Sequence, residues 1–323
     1  MKIGFLTACL GQMPLDELAE WAAEQGFEAL ELPAWRPPQR PKDYAPRHVK
    51  AERLKSSDAA RIRELIASHG MVISSLAFYE NNLHPDRRKR DANRAHLRKV
   101  VDAAASLGVD RVGTFVGGRA LRAAAALREA GQFFRELCAY AADRGVSIMI
   151  ENCPMENWVQ FGIPGNFAYS PELWEALFNE VPDENFGLNM DPSHLHWLGI
   201  DPIQATRDFG SRIFHAHAKD TEILHEGRQR FGVLAEQLGD NPWASGWWRY
   251  RMPGRGAIDW AAFVRVLNEV GYDDVLSIEH EDPEFEGSEE KVRAGLRLGL
   301  EHLQSVLAEP VARVAGLVVD RGL

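Results

Sequence analysis

Cysteine is scarce in this chain, with Cys9, Cys138 and Cys153 the three among 323 residues. An odd number without CxxC spacing excludes a disulfide framework or a cysteine-rich zinc knuckle and suits reduced thiols. No run approaches the roughly 18 apolar residues that a membrane span needs, so no membrane partner is expected. Leu6-Thr7-Ala8-Cys9 has the outline of a lipoprotein cleavage site. The five residues before it are too few for a charged and then an apolar leader region, and a cytoplasmic location is expected. Positive charge is in deficit: 37 Lys and Arg face 47 Asp and Glu, a formal net charge of −10 with neutral histidines. That balance argues against a nucleic-acid partner, which needs clustered cations. The one basic run, Arg87-Arg88-Lys89-Arg90, is bracketed by Asp86 and Asp91 and reads as a solvated helix start. No glycine-rich phosphate loop follows the first apolar segment, which counts against a doubly wound nucleotide-binding sheet.

What is present is an alternation. Apolar content of 45% with 26% charged residues is ordinary for a globular protein and excludes a disordered chain. Eight strands are predicted: 2–8, 29–35, 72–79, 111–116, 147–153, 186–190, 213–219 and 275–280. Helical periodicity marks 15–25, 58–69, 91–107, 120–144, 171–180, 202–209, 258–270 and 289–307. Several of these helices end in glycine just before the next strand, as at Gly26, Gly70, Gly108, Gly145 and Gly271. Strand–helix units repeated without an internal linker fit an α/β fold of the (β/α)8 TIM-barrel type, one domain over residues 1–323. Two long excursions, 36–57 and 224–257, follow strand ends and would lie over the catalytic face as lids. The stretch 308–323 is an apolar extension that packs on the barrel or on a partner subunit.

Barrel enzymes carry function at the C-terminal ends of strands. Those positions hold Glu151, Asp191, His217 and Glu279, on strands five to eight. Three carboxylates and an imidazole suit a divalent cation with positions left open for substrate. Without a cation the acids would repel one another and resist ionisation.

The segments Ile150-Glu-Asn-Cys-Pro154, Asp191-Pro-Ser-His194, His215-Ala-His-Ala-Lys-Asp220 and Ser277-Ile-Glu-His-Glu-Asp282 resemble the metal-site motifs of the sugar phosphate isomerase/epimerase superfamily. This is the xylose isomerase-like TIM-barrel group that includes ketose 3-epimerases and inosose-processing enzymes. The resemblance spans residues 1 to about 307. It implies that Glu151, Asp191, His217 and Glu279 bind one divalent ion, Mn²⁺ first, with Mg²⁺, Co²⁺ or Zn²⁺ as alternatives. It also implies that the two glutamates move protons and that His194 binds substrate oxygens. Barrel isomerases often assemble as dimers or tetramers, so a homo-oligomer stays open. The ketose epimerase pattern has a second acid where this chain has Asn157, next to Glu156, and an arginine where it has Ile223. Lys219 and Arg255 are the candidates to supply the missing cationic contact.

The chemistry expected is isomerisation or epimerisation of a sugar, keto-sugar or cyclitol through a metal-stabilised enediolate, with glutamates on opposite faces as acid and base. The same intermediate would also serve a dehydratase or lyase acting by β-elimination on a keto-glycoside or inosose. A non-catalytic sugar-binding barrel is a third reading, and hydrolysis of apurinic DNA is disfavoured by the charge. Further candidate substrate contacts are His84 in the loop after strand three and Trp35 at the end of strand two. His215 reaches the pocket or is a core histidine, and Glu281 shares the face of Glu279. The aromatic stretch Trp243, Trp247, Trp248 and Tyr250 forms a lid, a subunit interface or a loop packed on its own barrel.

Overall fold

The computed structural model describes residues 1–41, 43–118, 123–155, 165–233 and 246–308. Strands β1 (Lys2–Leu6), β2 (Ala29–Pro33), β3 (Val72–Phe78), β4 (Arg111–Thr114), β5 (Ser147–Glu151), β6 (Phe186–Met190) and β7 (Ile213–Ala218) are parallel. A short antiparallel ribbon, β8 (Asp220–Ile223) with β9 (Trp248–Arg251), follows, and β10 (Val275–Ile278) then pairs with both β7 and β1. The barrel therefore closes in the order β1-β10-β7-β6-β5-β4-β3-β2. The expected eight-stranded α/β barrel is the fold observed.

Helices α1 (Leu15–Gln25), α2 (Ser56–Ser68), α3 (Arg87–Leu107), α4 (Ala123–Ala142), α5 (Pro171–Glu180), α6 (Pro192–Leu198), α7 (Pro202–Asp208), α8 (His225–Phe231), α9 (Trp260–Glu269) and α10 (Glu289–Ala308) complete the described elements. The stripe on α1 buries Leu18, Ala19, Trp21 and Ala22, and its chain turns back through left-handed Gly26 at φ 95°. Between barrel and helices lies the apolar core, where Phe5 packs on Trp21 and Phe27, and Phe134 on Phe186. Full burial of each such side chain contributes about 1.5–3 kcal/mol. Helix α3 starts four residues earlier than the periodicity predicts. Asp86 accepts hydrogen bonds from the backbone N–H groups of Arg88 and Lys89, which lets the basic run form the first turn.

The excursion 224–257 is not a continuous loop. Residues 248–251 form β9 and 225–231 form α8, both missed because the pairing partner of β9 lies beyond α8 in sequence. The buried Asp220 carboxylate fastens this arm. It accepts from the N–H groups of Thr221, Gly254 and Ile258 and from the indole of Trp260. Trp243 and residues 309–323 lie outside the described residues. All three cysteines are free thiols, and among the described residues no helix is long and apolar enough to cross a membrane.

Candidate metal centre

Strand alternation builds the site in two storeys. Asn189 and Asp191 share the inward face of the β6 end, His215 and His217 that of β7, and Ser277 and Glu279 that of the β10 end. The upper member of each pair, with Glu151 from β5, forms a cluster whose ligand atoms lie within 4.8 Å of one another. His217 Nδ1 stands 3.3 Å from both Glu151 Oε1 and Glu279 Oε2. Strands β5 and β10 are separated by β6 and β7, so the two glutamates approach from different sides of the barrel mouth.

Local structure fixes Asp191 with particular care. Its Oδ1 caps α6 by accepting from the Ser193 N–H, and Pro192 occupies the first helical turn, where its missing N–H costs nothing. Asn152 pins the same backbone twice, donating to the Asp191 carbonyl and accepting from its N–H at 2.8 Å each. The other oxygen, Oδ2, is buried without a hydrogen-bond partner among the described residues. The nitrogens of Lys219 and His194 approach it to 3.3 and 3.4 Å. An orphaned carboxylate oxygen beside two glutamates and an imidazole nitrogen fits a divalent cation.

Lys219 is fully buried and reaches Glu279 at 2.5 Å and Glu281 at 3.0 Å, with its ammonium 4.5 Å from the centre of the Tyr250 ring. Burial would raise the carboxyls of Glu279 and Asp191, but Lys219 together with His217, and for Asp191 also His194, outweighs it and holds both below the usual carboxylate range. Burial equally opposes charge on Lys219 and His217. Glu279 and Glu281 hold the lysine well above its ordinary value, and Glu31 and Glu279 do the same for the histidine. Burial pushes Glu281 up to about 7 although Lys219 pulls it down. Glu31, Glu151, Asp191, Glu279 and Glu281 thus converge on one ammonium and the imidazoles of His217 and His194, a surplus of acid that a divalent cation would offset.

His194 joins this group. Its Nε2 lies 3.3 Å from Glu151 Oε1, and its Nδ1 is 2.9 Å from the Tyr250 hydroxyl on β9. Other sequence candidates sit elsewhere. Arg255 pairs with Glu284 at 2.6 Å and lies over Phe285. His84 accepts from the Asp86 N–H in the loop leading into α3. Trp35 is buried against Phe78 and Tyr79 in the wall of the barrel mouth. Among the described residues no hydrogen bond or ion pair joins these three to the cluster. Glu156 lies outside the described residues.

Sequence reasoning missed the lower storey. Glu31 on β2 is buried and bonded to His217, Tyr79 and Ser277. Asn189 links Tyr79 to His215, whose Nε2 meets Ser74 Oγ at 3.2 Å. Burial takes His215 down to about 4, so it is neutral and belongs to this core network. Register shifts fall immediately before Glu31 in β2 and Asn189 in β6, a device that re-aims side chains beside functional sites.

A closed parallel barrel with carboxylate and imidazole side chains clustered at its C-terminal mouth makes this a TIM-barrel protein with a candidate cation site. Residues 19–305 match the family described as Xylose isomerase-like TIM barrel, and the chain belongs to that family. It is 27% identical over 328 aligned residues to YfiH of Bacillus subtilis, covering 96% of this chain and all of that one. An inosose isomerase of Bacillus velezensis is 25% identical, covering 88% of this chain and 90% of the relative. Among solved structures, an IOLI protein with a bound zinc atom superposes with a TM-score of 0.67 at 20% identity, over 95% of this chain and 96% of that one.

Proposed function

We propose that this protein is a divalent-metal-dependent isomerase or epimerase of a polyhydroxylated ketone, a sugar or cyclitol, in which Glu151 and Glu279 move the proton. The observation that carries the reading is the shared approach of these two carboxylates to His217 Nδ1 from β5 and β10, with the unsatisfied Asp191 oxygen beside them. The inosose isomerase relative supports the substrate class. Glu151, Asp191, His217 and Glu279 would hold the ion, Mn²⁺ in this reading. When bound, such an ion polarises a carbonyl and acidifies the neighbouring C–H.

The protein's own groups supply the remainder. One glutamate removes the proton from the carbon beside the carbonyl and the other returns one, to the opposite face or to the neighbouring carbon. The fixed ammonium of Lys219 faces the place where negative charge develops. His194, braced by Tyr250, orients a substrate hydroxyl.

Metal analysis followed by incubation of the Mn²⁺-loaded protein with inososes, ketohexoses and keto-glycosides in D₂O tests this. Deuterium at the carbon beside the carbonyl, with no fragment released, is expected. Loss of water or of an aglycone would replace isomerisation with elimination. Glu151→Gln and Glu279→Gln should each cost about 10²–10⁴-fold in kcat, and full activity in both would refute the proton shuttle.

A further inference from the structure

We propose that Glu31 is a positioning residue that fixes the tautomer and ring orientation of His217, so that Nδ1 is the atom presented to the cation. The inference rests on the metal reading above and concerns a residue on the opposite side of the imidazole. His217 Nε2 lies 3.0 Å from Glu31 Oε2, while Nδ1 faces Glu151 and Glu279. Nε2 also lies 3.0 Å from the Asn189 amide nitrogen, which can only donate, whereas the Glu31 carboxylate only accepts; Glu31 therefore holds the proton on Nε2, and when a cation is bound Nδ1 gives up its own proton and turns its lone pair to the ion.

The Glu31 carboxylate is itself immobilised. The Tyr79 hydroxyl donates to Oε1 at 2.8 Å and the Ser277 hydroxyl to Oε2 at 2.8 Å. Tyr79 is set in turn by Asn189, which donates to the phenol oxygen at 2.7 Å, and by an edge contact with the His217 ring. With three donors on an acceptor-only group, in a position without solvent, the arrangement leaves Glu31 no alternative partner. Glu31, His215 and His217 also converge as a trio of ligand types. His215 is bonded to Asn189 and Ser74, and Glu31 to Tyr79, Ser277 and His217, so the trio supports the upper site. A carboxylate behind a metal-bound imidazole holds the ring and raises its basicity, and losing such a partner typically weakens metal binding 10–100-fold.

Two measurements test this, neither of which needs a known substrate. In the Zn²⁺-loaded wild-type protein labelled with ¹⁵N-histidine, His217 is expected to carry its proton on Nε2. A proton on Nδ1 with Nε2 bound to zinc overturns the proposal without any variant. Chelator competition with Zn²⁺ should show affinity roughly 10–100-fold weaker in Glu31→Gln, and only a few-fold weaker in Tyr79→Phe, which removes a hydroxyl at the same depth but keeps the carboxylate. Glutamine is close in size and shape, so a purely steric role predicts no change; wild-type affinity in Glu31→Gln also overturns the assignment. If the wild-type protein binds no divalent ion, the metal reading itself fails. Wild-type binding with an unaltered Glu31→Gln sinks only the role of Glu31.

Discussion

Tyr250 on β9, paired with Thr221 of β8, places its hydroxyl 2.9 Å from Nδ1 of His194, and the opposite nitrogen of that ring lies 3.3 Å from Glu151. The β8–β9 arm is therefore part of the wall of the site and holds the ring through its outer nitrogen. Tyr250→Phe should lower kcat/KM on the substrate found by the deuterium screen by about 5–10-fold, the worth of one hydrogen bond of roughly 1 kcal/mol. Metal affinity, set by other residues, should stay within a factor of two or so. Equal kinetics for Tyr250→Phe and wild type would show that His194 needs no brace.

The arm hangs on Asp220. Replacing it with alanine leaves two loop N–H groups, one strand N–H and the Trp260 indole without their acceptor, all in a buried setting. Unmet donors of this kind cost about 1–3 kcal/mol each when relaxation is denied. Asp220→Ala should lower the urea midpoint clearly and raise amide exchange across 248–258 more than in the barrel strands. Uniform exchange across the protein would mean that Asp220 serves the whole fold and not the arm.

The barrel was readable from the sequence because each strand is a short apolar run closed by a turn and followed by a 3.6-period stripe. The four candidate ligands were readable because each acid or histidine stands at the end of such a run. Glu31, the lone acid of Ala29-Leu-Glu-Leu-Pro, breaks that rule: it stands in the middle of its strand, and it comes from β2 and not from the contiguous block of strands five to eight. Its role depends on a partner 186 residues away, which no local pattern encodes. The β8–β9 pairing was hidden for the same reason. Arg255 illustrates the converse: as a candidate for the missing cationic contact it had no visible partner in the sequence, while Glu284 and Phe285, brought in after β10, hold it.

Gly113 on β4 is required by the lower storey. A Cβ at that position would stand 2.4 Å from the Tyr79 hydroxyl, the group that donates to Glu31. Gly113→Ala should cost about 1–3 kcal/mol through overpacking and weaken metal binding by pushing Tyr79 off the carboxylate. In a Tyr79→Phe background the hydroxyl is gone, so the same alanine should cost measurably less. A double-mutant cycle reads the difference, and strict additivity would place the strain elsewhere.

Acid and base should erode the metal-free protein through different members of one cluster. Burial opposes ionisation of Glu31, but His217 and His215 bring its carboxyl down to about 2 from the ordinary 4.5. A depressed carboxyl contributes stability that is present above pH 4.5 and lost as pH falls toward 2. His217 runs the other way: despite burial, Glu31 and Glu279 hold it well above its ordinary 6.5. Its contribution is complete below pH 6.5 and is lost as pH rises through the higher folded value. Between about pH 4.5 and 6.5 both contributions coexist, and there the urea midpoint of chelator-treated protein should be highest with respect to this pair. Glu31→Gln removes the acidic flank and flattens the alkaline one, because His217 loses its main anionic neighbour. Urea midpoints measured at constant ionic strength from about pH 3 to 9 should therefore converge for the two proteins at both extremes and separate in the middle. Parallel curves would mean that the Glu31–His217 contact does not govern the ionisation of either group.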